Sequence, residues 1–314
     1  MDIPSPGSNP RRGAAVKPRE DRLILGIVLV LAAAAIFAVL DTNAKWLVVN
    51  GYPSLEVVFM RYIVQLGVML AWLVPRYGAA AFRTANPKLE VLRALALLGT
   101  TAFNFFAIRY LPLTVTGSIL FATPILVALL AIPLLGEKVG WRRGIAIAAG
   151  FAGVLVIIQP GGTEFHPAMF LSLAMVLSYA LFNIVTRQLA GVDSTHTQQL
   201  YVALIPTIGL IPFAFWDWVW PSDPLSWTLM LSLGLGGLFG HTLITIAFRY
   251  AEASILTPFL YPQVIFMAVS SWLVFSQPPG LSIFIGTPIV IGSGVYIWWR
   301  EQKLANGRQA ARGS

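Results

Sequence analysis

Ten apolar stretches, most of them close to 20 residues long, recur between residues 23 and 299 and decide what this chain can become. A stretch of that length crosses a hydrocarbon core of about 30 Å. Inside lipid every backbone polar group must be paired internally, so only helices and closed barrels span it. The apolar runs are continuous rather than alternating, and helices are therefore expected. The spans read 23–47, 54–75, 92–110, 113–135, 141–158, 167–189, 196–216, 226–250, 253–275 and 281–299.

Composition agrees. Hydrophobic types make up 57% of the 314 residues and charged types 11%, with a mean hydropathy of +0.76. A soluble domain carries about 25% charged residues, so a soluble enzyme, a disordered chain and a nucleic-acid binder are all excluded. The absence of cysteine removes disulfides, thiolate metal sites and thiol catalysis together. Residues 1–22 are polar and rich in Pro, Gly and Arg, as a disordered cytoplasmic tail would be. The first span is too long for the apolar region of a cleaved signal peptide and is retained. Residues 301–314 form a second basic cytoplasmic tail.

The net charge of +8 records orientation. With the N-terminus inside, 18 of the 21 Lys and Arg residues fall on the cytoplasmic side. Four of these occupy 76–93, which is assigned to a loop and the start of the third span. The expected topology places both termini in the cytoplasm. Trp216, Trp218 and Trp220 at one face, and Trp298 and Trp299 at the other, suit interfacial belts.

The chain also repeats itself. AIRY at 107–110 returns as AFRY at 247–250, an offset of 140 that continues through Phe121/Tyr261 to Glu137/Gln277. At an offset of 142, Asp41 pairs with Asn183, Lys45 with Arg187, Gly144 with Gly286 and Gly150 with Gly292. The halves are 23–160 and 161–300, each with five spans. An odd number of spans forces the second half to enter from the opposite side, so the repeats are inverted. Inverted repeats characterise secondary transporters, whose substrate sites lie near the midplane.

Thr123–Pro124, the LGE of Leu135–Glu137 and the glycine-spaced fifth and tenth spans resemble the drug/metabolite transporter superfamily, EamA type. Within it, the chain looks like bacterial inner-membrane exporters of aromatic and other neutral amino acids. FSQPPG at 275–280 departs from the family, which usually has a Gly–Glu pair there. The resemblance implies an all-α polytopic protein, ten transmembrane helices in two inverted five-helix repeats around a central cavity. It implies that spans 3, 4, 8 and 9 line the cavity, and that spans 1 and 6 gate it. Spans 5 and 10 would support the structure while the others rock.

Polar residues in the spans supply the candidate site. Asn104 with Thr101, and His241 with Thr245, make polar strips in cavity spans. Tyr179 and Asn183 in the sixth span and Tyr261, Gln263 and Trp272 in the ninth complete the expected cavity, which suits a neutral or aromatic substrate. Asp41 and Lys45 are candidates for gating or coupling, four residues apart on one helical face. They read either as a gate or as an intrahelical pair near the interface with Lys45 snorkelling. His241 is a candidate proton carrier, with Asp41 the alternative. Arg61 is expected to pack peripherally or to pair with Glu56. Pro124 and Pro262 are the expected hinges.

The expectation is a secondary transporter exporting small amphipathic metabolites, amino acids including aromatic ones, by alternating access. A sugar-phosphate or nucleotide-sugar carrier would need clustered Lys and Arg, and a passive channel-like facilitator is the other alternative. No enzyme motif, metal site or cofactor site is evident. The expected partners are a small-molecule substrate and the lipid bilayer, with no nucleic acid. The sequence leaves the oligomeric state open, and a monomer is compatible with it.

Overall fold

A computed structural model describes residues 20–135, 141–162, 165–189, 192–247, 250 and 256–313. Its helices are α1 (Glu20–Val49), α2 (Ser54–Tyr77), α3 (Pro87–Ile108), α4 (Leu113–Leu120), α5 (Thr123–Leu135), α6 (Trp141–Ile158), α7 (Met169–Leu189), α8 (Thr195–Ala214), α9 (Pro224–Ala247), α10 (Gln263–Phe275) and α11 (Leu281–Gly313). Short 3-10 turns occupy Gly78–Phe82 and Thr257–Leu260. The tail before Glu20, Glu137 of the LGE motif, Arg249 and the Arg187 side chain lie outside what is described.

The fold is all-helical and membrane-spanning. Among the described residues eight segments are long and apolar enough to cross a bilayer, and two shorter apolar helices, Gly144–Ile158 and Gln263–Phe275, stand fifth and ninth. Ten spans are thereby accounted for.

Three boundaries differ from the sequence expectation, each for a local reason. The third span starts at Pro87 rather than 92. Asn86 caps it by accepting the Leu89 N–H through Oδ1 at 3.3 Å, and Pro87 takes the first turn, where no N–H is needed. The last helix runs to Gly313, because Glu301, Gln302, Lys303 and Leu304 are good helix formers and no proline follows Trp299, Gly307 being carried within the helix. The fourth span is broken into α4 and α5 at Phe121–Ala122, just before Thr123–Pro124.

That break has a counterpart. The ninth span is interrupted at Tyr261–Pro262, between the Thr257–Leu260 turn and α10. The two interruptions are separated by the repeat offset of 140. Discontinuous helices at matching places in two inverted halves are a recurrent device for building midplane sites.

Packing follows the same symmetry. The most extensive pairings are α1 with α9, α3 with α7, and α6 with α11. The first two exchange under the repeat, since each joins the first span of one half to the third span of the other. The last joins the two fifth spans and is its own image. Close approach depends on glycine at these crossings. A Cβ on Gly240 would stand 2.7 Å from the Phe37 ring, and one on Gly286 would stand 2.8 Å from the Gly153 carbonyl oxygen. Helices in lipid associate through such small-residue contacts, because lipid is as apolar as the side chains.

Chain direction gives the bundle two ends. The proximal end holds the start of α1, the stop of α11 and the α2–α3 and α7–α8 loops. The distal end holds the α1–α2, α3–α4, α8–α9 and α10–α11 connections.

Candidate functional site

A cavity of about 670 Å³ opens between the halves. Its deep wall is the pair of helix breaks, with Phe121 and Pro124 on one side and Tyr261 and Gln263 on the other. The α7 face contributes Tyr179, Phe182, Asn183 and Thr186, and the α9 face His241, Ile244 and Thr245. From there it reaches the proximal end, where Arg93, Asp193, Thr195, Gln198, Gln199 and Trp298 line it.

Six of the nine expected cavity residues therefore stand on one wall system: Tyr179, Asn183, His241, Thr245, Tyr261 and Gln263. The Asn183 amide donates back to the Tyr179 carbonyl at 2.6 Å, and Thr245 back to His241 at 2.8 Å. His241 packs edge-on against Phe37, with centroids 5.0 Å apart, and its Nε2 is buried with no hydrogen-bond partner among the described residues.

The other three lie elsewhere. Trp272 is 61% exposed on the outer surface of α10. Thr101 is buried beneath α2, where it accepts a hydrogen bond from Arg61 and contacts the Tyr62 hydroxyl at 2.9 Å. Asn104 donates to Asp41 Oδ1 at 2.9 Å, beside the cavity rather than on its wall. The weight of the spans also shifts. The sixth span, expected as a gate, supplies much of the wall, whereas the third supplies Arg93.

Asp41 and Lys45 do not pair with each other. Lys45, 2% exposed, donates from Nζ to the Leu111 carbonyl at 2.7 Å and to Gln277 Oε1 at 2.6 Å, with the Phe275 ring beneath it at 4.9 Å. This knot ties α1 to the α3–α4 and α10–α11 connections at the distal end. Gln277 reaches it because Ser276 ends α10 in the left-handed conformation, φ 53°, with its N–H and that of Gln277 turned back onto α10 carbonyls. Asn43 adds a second crossing by donating to Ser232 at 2.9 Å. Arg61 does not pair with Glu56 either. It turns inward to Thr101 and to the Tyr62 hydroxyl at 3.1 Å, while Glu56 accepts the Val219 N–H at 2.9 Å. Asp41 and Lys45 stay apart because Asp41 is held by Asn104 on α3 and Lys45 by the α3–α4 and α10–α11 connections, while Glu56 and Arg61, five residues apart, do not share a helical face.

Arg93 is the residue the sequence reading missed. It was counted among loop cations that set orientation, yet it is 4% exposed and stands on the cavity wall. Its Nε donates to Thr186 at 2.8 Å, its Nη1 to the Gln198 carbonyl at 2.9 Å, and its plane covers the Phe182 ring at 4.8 Å. Asp193, on the α7–α8 loop, faces the same space. Partial burial works against its charge, but the Ala85 N–H at 2.8 Å and the Thr84 hydroxyl at 2.5 Å outweigh that and hold its carboxyl below the usual range. The missed signal was Asn86–Pro87, a helix start that carries Arg93 two turns into a span.

Residues 24–159 and 166–299 each match the EamA-like transporter family. The chain is 26% identical to the S-adenosylmethionine uptake transporter of Rickettsia prowazekii, over 91% of this chain and 97% of the relative. It is 28% identical to a riboflavin transporter of Rhizobium johnstonii, over 92% and 95%. It is 27% identical to a pseudopaline exporter of Pseudomonas aeruginosa, over 86% and 95%. A solved crystal structure that is 18% identical shares the fold, with a TM-score of 0.58 over 91% of this chain and 99% of the other.

Proposed function

Because the chain belongs to the EamA-like transporter family, we propose that it carries a flat, aromatic or heteroaromatic, neutral or zwitterionic metabolite across the cell inner membrane by alternating access. The observation that carries this reading is the character of the cavity wall. Aromatic faces from Tyr179, Phe182, Tyr261 and Trp298 surround amides from Asn183, Gln198 and Gln263. Among the described lining residues the fixed charges are one cation, Arg93, and one anion, Asp193. A net-neutral wall favours a cargo without excess charge, and phosphorylated sugars need clustered cations.

Amino acids, aromatic ones included, are the small members of this class. A cavity of about 670 Å³ also accommodates larger ones, since sites for drug-sized ligands run to roughly 300–1,000 Å³. The relatives named for S-adenosylmethionine, riboflavin and pseudopaline support organic metabolites of that size. They include both uptake and export carriers. The Lys45 knot favours a carrier over a passive facilitator, because it shuts the distal end while the cavity reaches the proximal one. With both termini cytoplasmic, this is the inward-facing state. Asp41 and His241 remain the two proton-carrier candidates, and Pro124 and Pro262 flank the breaks where hinging would occur.

Counterflow in proteoliposomes tests the reading, using labelled phenylalanine, S-adenosylmethionine, riboflavin and a sugar phosphate, each with and without a pH gradient. Uptake of at least one of the first three, with the sugar phosphate excluded, is expected. Flux of the sugar phosphate alone would sink the proposal. Loss of gradient dependence in Asp41→Asn or in His241→Ala assigns the proton to that residue.

A further inference from the structure

The cavity wall contains a built anion site with its own internal competitor. Arg93 is nearly fully buried, yet it faces the cavity. Two of its three nitrogens are occupied, Nε by the Thr186 hydroxyl and Nη1 by the Gln198 carbonyl. Those bonds and the Phe182 ring beneath fix the guanidinium plane. Nη2 has no hydrogen-bond partner among the described residues. A guanidinium held in this way, with donors left over, is suited to two-point recognition of a carboxylate.

Glu90, one turn earlier on α3, is the second observation. It is 0% exposed, and neither carboxylate oxygen accepts a hydrogen bond from any described residue. Its approach to Arg93 Nη1 is 3.9 Å, too long for a hydrogen bond. Asp193 beside it is another carboxylate, so the two share a hydrogen bond only while Glu90 carries the proton. A buried carboxylate that lacks donors is costly. In its ionised form it is only a loosely held counter-charge of Arg93, 3.9 Å away, and a better-placed anion would displace it.

We propose that Arg93 is the carboxylate-docking residue of the transport cavity, and that Glu90 is the resident counter-ion with which a cargo carboxylate competes. This rests on the cargo class proposed above and narrows it to members bearing a carboxylate. Their rings would lie toward Tyr179, which follows the Arg93 partner Thr186 along α7 toward the breaks. Asn183, on the same wall, would meet polar substituents of the ring.

Two probes of one shape separate the charge from the ring: 2-naphthoate and 2-naphthamide. Thermal stabilisation of the purified full chain by each is measured for wild type, Arg93→Gln, Arg93→Lys and Glu90→Gln. Wild type is expected to bind the acid roughly tenfold more tightly than the amide, the size of one charge-assisted hydrogen bond. Arg93→Gln abolishes that preference without changing amide binding, and Arg93→Lys restores part of it. Glu90→Gln removes the competitor and tightens acid binding severalfold, with the amide again unchanged. Equal loss of both probes in Arg93→Gln would assign Arg93 a purely structural role and overturn the proposal. So would an acid preference that survives the substitution. If Arg93→Gln does not fold, Glu90→Gln decides alone, and acid affinity equal to wild type refutes the competitor. If the acid preference follows Arg93 while no metabolite is moved in counterflow, the cargo class falls and the docking site stands.

Discussion

Phe121 and Tyr261 meet edge to face across the seam between the repeats, with ring centroids 4.9 Å apart. Each sits at the break in its own half, and they are partners under the 140-residue offset. The internal symmetry therefore closes on itself at the cavity floor. An edge-to-face pair of this kind contributes about 0.5–1.5 kcal/mol beyond the area it buries. A double-mutant cycle of Phe121→Ala and Tyr261→Ala should return a coupling in that range in detergent melts. Strict additivity would mean that the rings touch without coupling the halves.

At the distal end, Gln277→Glu should convert the Lys45 contact into a charged pair and favour the closed form. The chain has no cysteine, so a single Asn183→Cys reporter reads cavity access without background. Labelling of that cysteine by an impermeant maleimide from the proximal side should rise in Gln277→Glu and fall in Lys45→Met. No difference between the two would show that the knot does not set which end is open.

Ser276 occupies the left-handed region at φ 53°, where a side chain costs about 1 kcal/mol that glycine avoids. Ser276→Gly should raise the melting temperature, and Ser276→Val should lower it. A rise with valine would contradict the assigned conformation.

Glycines on α11 should separate by surroundings rather than by helix propensity. A Cβ at Gly286 meets Ile157 at 2.5 Å and the Gly153 carbonyl at 2.8 Å, whereas one at Gly292 meets nothing within 4 Å. Gly286→Ala should cost about 1–3 kcal/mol, as overpacking does. Gly292→Ala should be neutral or stabilising by up to about 1 kcal/mol. Equal melting temperatures would reject the close crossing.

Asp193 gives a pH dependence with a definite sign. Its folded pKa is depressed, so its ties to Thr84 and Ala85 contribute fully above the ordinary carboxylate range near about 3.9 and are lost as pH falls through the lower folded value. Protection of the residue 84–86 amides, taken relative to their intrinsic exchange rates, should be high at neutral pH and fall in acid. Asp193→Asn should exchange quickly at both. A fast wild-type loop at neutral pH would remove the tie.

What the sequence disclosed, and what it hid, follows from the range of the interactions. Span number and the inverted repeat were legible because length and hydropathy are properties of contiguous residues. Lys45 was legible as an intramembrane cation, but its partner Gln277 is 232 residues away and lies in the stretch that departs from the family pattern. Asp41 and Arg61 were given neighbours on their own helices, and each found a partner on another. Trp272 was placed in the cavity, although a polar-aromatic stripe does not distinguish a lipid-facing side from a cavity-facing one. Arg93 was hidden by a helix start misplaced by five residues, enough to turn a wall residue into a loop charge.

The crossing of α6 and α11 carries a mechanical consequence. Where Gly153 and Gly286 bring two backbones together, nothing compressible lies between the halves. That point behaves as a pin through both. If the halves rock as proposed, elements turning about that pin cannot spread at both ends at once, and a stiff crossing outside the cavity lining would hold the bilayer closed to leakage.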